Sequence, residues 1–407
     1  MSAEKRERIR ESDLSGLKSL DRLMPLLERL RPVGCARDRA GNRQLFFDGY
    51  CALVLLYLFN PIVSSLRALV QASELKKVQR KLGCSRASLG SLSEAARVFD
   101  PELLREIVGE LVEQVPSLSR DARLNDLAHE LTAVDGSILA ALPQITQASF
   151  LQKKRGPAAD GWRLHTHFEI LRGVPVKVTL TDARNRGDSN ETAVLRRSLE
   201  PDRCYVTDRG YEQFALFNAI LDVGSSYVCR IRNNHLEHFA AEETRPLCEA
   251  ARAAGVLQDA VGKLGSTKSK RIEHPHHRVR IVRVRAEVHP KRGGRRRKSA
   301  TQDILLATSL LDVPPEIIGL IYRNRWLIEL FFRFFKHVLG CRHLLSQHPQ
   351  GIEIQTYCAI IACLLIALVT GRKPTLRTYE MLCYYFIGLA DEDELLGHLN
   401  RLRPHDA

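Results

Sequence analysis

Residues 322–336, YRNRWLIELFFRFFK, decide how the rest of the chain is read. At about 100° per residue in a helix, Tyr322, Arg325, Glu329 and Lys336 fall within roughly 60° of one another. Leu327, Ile328, Leu330, Phe331, Phe334 and Phe335 cover the remaining faces. The segment therefore predicts one largely buried helix that holds a carboxylate between cations along a single edge. Taken alone, Arg325 and Glu329 are equally an ordinary i,i+4 ion pair, with Lys336 extending its amine to water. The carboxylate acquires chemical interest only if other acids elsewhere in the chain can join it.

Length and composition bound the search. A chain of 407 residues exceeds one ordinary core and predicts roughly two or three domains. With 44% hydrophobic and 27% charged residues it reads as globular. Lys and Arg number 61 against 47 Asp and Glu, a formal +14. That surplus favours a polyanionic partner, nucleic acid before an anionic membrane. The 10 cysteines form no C-x2-C pair, which argues against a zinc ribbon or disulfide framework and suits reduced interior residues of a cytoplasmic protein. The start, MSAEKRERIRESD, has no apolar segment of a secretory signal. The most apolar run, residues 357–370, is shorter than the roughly 20 residues of a membrane span, so a core helix and no membrane partner are expected.

Residues 1–125 predict an all-α N-terminal domain. Leu17, Leu20, Leu23, Leu27 and Leu30 recur at helical spacing, and residues 46–59 form an apolar helix that Asn60-Pro61 stops. A further helix is expected from about Ser64 to Gly83. Ser85 or Ser88 then caps one running through Phe99, and Asp100-Pro101 opens the next. Helix, short glycine-containing turn and a helix bearing Ser and Arg give the outline of a helix-turn-helix. Either Arg86, Ser88, Ser91 and Ser93 face DNA, or they belong to a bundle with a serine-rich cap.

Residues 126–232 alternate strands and helices. Residues 131–142 read as a strand interrupted by Asp135-Gly136, and residues 163–171 and 174–180 as strands joined at Arg172-Gly173. A helix at 190–199, a strand at 204–207 ending on Asp208, a helix at 212–221 and a strand at 226–231 follow. Periodicity gives an α/β layout without selecting among its variants. Asp135 on the first strand and Asp208 at the end of the fourth could bring two carboxylates together. Phosphodiester chemistry uses such acids, because two Mg²⁺ ions held by oxygen ligands supply a nucleophile and neutralise developing charge. Taken singly, Asp135 is also a turn aspartate and Asp208 a helix cap. Asp182 and Asp188, in TDARNRGDSNET, read as an exposed turn, and His165 and His167 as sheet-surface residues.

Residues 233–300 separate these elements from Glu329 and read as an insertion. Val279, Ile281, Val284, Ala286 and Val288 are strand positions, but Ile281-Val282 shifts the alternation, as in a bulge or a two-sided strand. The run Lys291, Arg292, Arg295, Arg296, Arg297 and Lys298 follows Lys268, Lys270, Arg271, Arg278, Arg280, Arg283 and Arg285 without nearby acids. It is either a solvated basic loop or a contact to DNA phosphates, which fix position rather than read sequence. His274, His276 and His277 lack neighbouring cysteines, so zinc is not expected. In residues 301–345 a strand at 304–310 precedes a helix that starts at Pro314-Pro315 and runs towards Glu329. Residues 346–407 form a helical tail that packs on the sheet or on a second protomer.

The spacing Tyr-x2-Arg-x3-Glu-x6-Lys, met by Tyr322, Arg325, Glu329 and Lys336, resembles the signature of bacterial DDE transposases of the insertion-sequence-four type. Val-Asp-Gly-Ser around Asp135 and Thr-Asp-Arg-Gly-Tyr around Asp208 resemble that family's first and second acidic motifs, in the right order. The resemblance implies an α/β fold: a ribonuclease H-like catalytic domain with a mostly β insertion before the third acid, preceded by the all-α N-terminal domain. It implies Asp135, Asp208 and Glu329 as catalytic ligands of two Mg²⁺ ions, with Mn²⁺ as a substitute. DNA contacts are then expected from Tyr322, Arg325, Lys336, Trp326, Arg209, Arg295, Arg296 and Arg297. Some relatives stack a tryptophan of the insertion on a flipped base while a hairpinned end forms. Here Trp162 and Trp326 both lie outside residues 233–300, so no hairpin forms or stacking passes to Trp326 or another aromatic; Trp326 reads equally as core. The implied partners are double-stranded terminal inverted repeats and target DNA, bound by a homodimer. The expected activity is cleavage at transposon ends and joining of the 3′-OH to target. The competing readings are a non-catalytic DNA-binding repressor and a metal-dependent nuclease without strand transfer.

Overall fold

Alternation along the strands sorts side chains into two apolar layers. Ala133, Val206, Val228 and Leu306 are buried in one cluster, while Val134, Tyr205, Tyr227 and Leu305 are buried in another. Successive residues of a strand project to opposite faces, so these pairs mark the two sides of one sheet. The computed structural model describes residues 18–32, 42–60, 62–117, 121–140, 161–265, 274–288, 300–337, 344–346, 348–371 and 375–401. The strands are β1 (Glu130–Ala140), β2 (Gly161–Glu169), β3 (Val174–Asp182), β4 (Arg203–Thr207), β5 (Ser226–Ile231), β6 (Phe239–Thr244), β7 (Val256–Leu264), β8 (Val279–Val288) and β9 (Ala300–Thr308). Among the described residues they form one 9-stranded sheet in the order β3-β2-β1-β4-β5-β9-β8-β7-β6. β1, β4 and β5 run parallel; β2 pairs antiparallel with β1 and β3 antiparallel with β2, and β9 joins β5 antiparallel before the meander to β6.

One face is covered by α7 (Glu191–Arg197) and α8 (Phe214–Asp222), which contribute Leu195, Leu216, Phe217 and Ile220 to its core. The other face carries the remaining core and the helices before and after the sheet. These are α1 (Lys18–Glu28), α2 (Phe47–Phe59), α3 (Leu66–Ser73), α4 (Lys76–Leu82), α5 (Leu89–Val98) and α6 (Glu102–Gln114). α9 (Glu249–Ala253) precedes β7, and α10 (Pro315–Asn324), α11 (Trp326–His337), α12 (Pro349–Thr370), α13 (Leu376–Ile387) and α14 (Glu392–Arg401) complete the chain.

α12 is the axis of this second layer. Proline in its first turn and Gly371 in the left-handed conformation beyond its end set its limits. At 22 residues it is long and apolar enough to cross a membrane, contrary to the shorter span read from residues 357–370. However, 89% of its apolar window is buried inside the protein, against α1, α2, α5, α6 and β3. Each buried side chain such as Ile360, Ile361 or Leu364 contributes about 1.5–3 kcal/mol relative to exposure. Its buried Thr356 and Thr370 hydroxyls donate back to the carbonyls of Ile352 (2.8 Å) and Ile366 (2.7 Å).

Two expected helices are broken. The segment from Ser64 to Gly83 divides into α3 and α4, because the Ser73 hydroxyl accepts the Ala87 N–H (3.0 Å) and the Gln79 side chain takes the Ser73 carbonyl (2.8 Å). Residues 322–336 divide at Arg325, whose N–H returns to the Tyr322 carbonyl (3.1 Å), a turn tighter than α-helix. Ser88 and Ser91 cap α5 reciprocally, and Arg86 pairs with Glu74 at 2.9 Å.

The strands after β5 extend the same sheet. β8 is two-sided: Val279, Ile281, Val282 and Val284 are all buried, and its pairing with β9 has no slip. Arg280, only 2% exposed, is not a surface cation. Its Nε and Nη2 donate to both Asp259 carboxylate oxygens at 2.8 Å, and Nη1 donates to the carbonyls of Leu310 (3.1 Å), Leu311 (3.0 Å) and Val313 (2.5 Å). Arg278 meets Glu242 and Glu243, while Arg283 and Arg285 meet Asp303. The apparent lack of balancing acids is thus corrected, since they lie on neighbouring strands. Lys268, Lys270, Arg271, Lys291, Arg292, Arg295, Arg296, Arg297 and Lys298 lie outside the described residues.

Removing one partner of a buried, hydrogen-bonded ion pair leaves an uncompensated charge and costs about 3–5 kcal/mol. Asp259→Ala is expected to lose stability on that scale in urea unfolding, and the double change Asp259→Ala with Arg280→Met to recover a substantial part. Equal losses for the single and double variants would count against the pair as a linked unit.

Candidate active site

The parallel pairing of β1 and β4 levels two acids. Thr132 faces Tyr205 and Ala133 faces Val206, and continuing that register sets Asp135 opposite Asp208, at the end of β4. Asp135 is not a turn residue. It lies within β1, paired across β2 with Thr166, and its Oδ1 accepts the Gly136 N–H at 2.8 Å. Asp208 does cap a single helical turn, accepting the Gly210 N–H at 2.7 Å, so cap and site geometry coincide.

Glu329 arrives on α11, which packs against β1 and β3 and stacks Phe331 near Phe168, ring centroids 5.8 Å apart. Arg325, at the break between α10 and α11, joins the acids. Its Nη1 lies 3.2 Å from Asp135 Oδ2 and its Nη2 2.5 Å from Glu329 Oε1. Burial pushes the Asp135 carboxyl up to about 6, with Asp208 and Glu329 adding to the rise and Arg325 and the Gly136 N–H opposing it. Asp135 therefore senses both of the other acids. Among the described residues, however, no three His, Cys, Asp or Glu side chains form a ready metal cage; the guanidinium supplies the positive charge between Asp135 and Glu329. The donor set itself, carboxylate oxygens with Asp135 and Asp208 anchored by backbone N–H groups, suits a hard divalent cation.

The other expected site residues are distributed around this centre. Tyr322, at the end of α10, is largely buried with its ring 6.0 Å from the Arg325 guanidinium carbon. Burial raises its hydroxyl, and the Arg325 and Arg230 charges oppose that. Trp326 is not core: it is 48% exposed, with Leu330 exposed one turn on. Lys336 is half-buried near the end of α11, and Arg209 is exposed in the turn after Asp208. Arg295, Arg296 and Arg297 are outside the described residues.

His165 and His167 are buried, not on the sheet surface. They lie 2.8 Å from the Thr181 hydroxyl and 3.1 Å from the Ser198 hydroxyl, and burial lowers them to about 4 and about 3. His276 approaches Asp222 (3.5 Å) and His277 the Tyr227 hydroxyl (3.0 Å). Sequence reasoning missed Glu191, the first residue of α7, whose side chain pairs with Arg163 and lies against Gly136. The signal available was a glycine one or two residues after each motif aspartate, which makes room for a neighbour.

With fold and site in view, the chain belongs to the family described as the transposase DDE domain, which matches residues 126–365, more than half of its length. A candidate transposase of Sinorhizobium fredii, y4zB, is 23% identical over 209 residues, covering 51% of this chain and 53% of its own. A candidate transposase for insertion sequence element IS5377 of Geobacillus stearothermophilus is 24% identical over 206 residues, covering 51% of this chain and 48% of its own. The chain thus spans about half the length of these curated relatives. A solved piggyBac transposase synaptic complex with hairpin DNA aligns over 96% of this chain and 84% of its own, at TM-score 0.37 and 12% identity.

The raised Asp135 carboxyl has a pH signature. Its folded value of about 6 exceeds the ordinary 3.8, so the native state binds the proton more tightly and loses stability as pH rises through that window. Asp135→Asn in metal-free buffer is expected to gain stability over wild type between these two pH values and to hold the gain above. Parallel urea-midpoint curves for the two proteins across that range would contradict a raised carboxyl.

Proposed function

We propose that the protein is a metal-dependent transposase that cuts DNA at the ends of its element and joins the freed 3′ ends to target DNA, using Asp135, Asp208 and Glu329. One observation supports this assignment: a single guanidinium, Arg325, bridges Asp135 of β1 and Glu329 of α11, and the β1–β4 register sets Asp208 level with Asp135. The accompanying fold reading is ribonuclease H-like. In it, β1 to β5 with α7 and α8 are the catalytic sheet, and β6 to β9 are the insertion before the third acid.

Two Mg²⁺ ions, or Mn²⁺ in their place, held by the three carboxylates would supply charge neutralisation and a nucleophile at neutral pH. In the cutting step a water oxygen bonds to phosphorus at the element's end, the bond to the 3′ oxygen breaks, and that oxygen leaves as a 3′-OH. In the joining step this hydroxyl bonds to a target phosphorus and the target's own 3′ oxygen leaves. Arg325, which neutralises two acids here, has the planar fork suited to a phosphate once DNA enters. Lys336 and Arg209 would add phosphate contacts that position the duplex. Tyr322 would hydrogen-bond or stack at the cleaved end, and exposed Trp326 offers a face to an unstacked base. Of the α4–α5 candidates, Ser93 remains to meet DNA, since Ser88 and Ser91 serve the cap and Arg86 pairs with Glu74. Strand transfer needs two ends held together, hence a homodimer on DNA.

The test is incubation with a donor bearing the element's own ends and Mg²⁺, scoring cut and joined products. Asp208→Ala and Glu329→Gln are each expected to eliminate both products while gel-shift binding to the ends persists. Cutting without joining by the wild type would make the protein a nuclease, and activity surviving Asp208→Ala would remove the acid assignment.

A further inference from the structure

Building on the function proposed above, we infer that Glu191 is a fourth carboxylate of the acidic centre, facing the divalent cation that Asp135 and Asp208 hold. Its backbone is fixed on both sides. The Asn185 side chain accepts the Glu191 N–H at 3.0 Å, and Asn190 caps α7 by accepting the Thr192 N–H at 3.0 Å. From there the side chain crosses to the sheet. A β-carbon on Gly136 would lie 2.5 Å from Glu191 Oε1, and one on Gly210 would lie 3.7 Å from Oε2. These same two glycines donate their N–H groups to Asp135 and Asp208. One carboxylate thus rests against both segments that position the aspartates, which is possible because neither segment carries a side chain there. Arg163 of β2, opposite Ile138, pairs with Glu191 and holds its charge in place.

A second observation points to a ligand. Tyr211 is 1% exposed, and its hydroxyl has no hydrogen-bond partner. Tyr211 follows Gly210 directly, and its N–H donates to the Asp208 carbonyl at 3.2 Å, so the residue is anchored to the same turn that positions Asp208. Buried hydroxyls are normally satisfied by protein or ordered water. An orphaned hydroxyl on the Asp208 turn lacks a bond that a metal-bound water would supply. Mg²⁺ usually keeps several of its waters and takes only one or two carboxylates. Glu191, with its side chain 19% exposed, remains reachable from solvent.

A purely structural Glu191 would serve only as the partner of Arg163, and the two roles separate in a measurement independent of activity. Mn²⁺ binding to the full chain without DNA is followed by the electron paramagnetic resonance of the unbound ion. Glu191→Gln keeps the volume and a hydrogen bond to Arg163 but loses the charge; it is expected to weaken Mn²⁺ binding about tenfold, read at a temperature where melting in chelator shows variant and wild type both folded. Gly136→Ala keeps the charge but displaces the carboxylate and should weaken binding comparably, while Glu191→Asp should restore part of it. Wild-type affinity in both Glu191→Gln and Gly136→Ala would overturn the assignment. Asp208→Asn runs alongside. If it also binds like wild type, the acidic centre itself is wrong; if it alone weakens binding, only the role of Glu191 falls.

Discussion

The guanidinium of Arg325 is the constraint on which the site depends. Carboxylates brought close together in a half-buried place repel one another and shed their charge unless a cation stands between them. Arg325 reaches Asp135 with one nitrogen and Glu329 with another, so a strand in the first half of the chain and a helix in the second are tied by one side chain. The same residue interrupts the helix: its N–H turns back to Tyr322, and α11 begins at the next position. The break and the bridge are one feature, because the tightened turn aims α11, and with it Glu329, at β1.

Around that bridge the sheet acts as a two-sided frame. α7 and α8 close one face and supply Glu191 and Tyr211's surroundings, while α12 threads the other and joins the helices of residues 18–114 to β3. Burial of α12's apolar side chains stabilises that side. The acids sit where the two layers meet, at the end of β4 and beside β1.

Much of this was legible from the chain. Strand alternation located β1, β4 and β5, and Asp-Gly and Asp-Arg-Gly marked places where a backbone amide could hold a carboxylate. What stayed hidden depended on neighbours remote in sequence. Arg280 looked like one more surface cation until β7 laid Asp259 beside it. His165 and His167 showed the right period for one face, but period does not say that α7 and the turn after it cover that face. α12 was underestimated because Glu353, Gln355 and Thr356 interrupt its apolar run, although Ile352 and Ile354 on either side of Glu353 are fully buried. The break at Arg325 carried no proline or glycine to announce it. Glu191 escaped because its significance lies in the bare backbone it touches rather than in any motif around it.

The Arg280–Asp259 pair reaches further than its own strands. By collecting the carbonyls of Leu310, Leu311 and Val313, Arg280 clamps the peptide that leads from β9 into α10, and α10 carries the chain to Arg325. The outer strands are therefore the bracket from which the third acid is hung. Drift in sequence is tolerable at the solvent-facing rim of β6, whereas a change at the β8–β9 root would travel along the connector and misalign a carboxylate that it never touches.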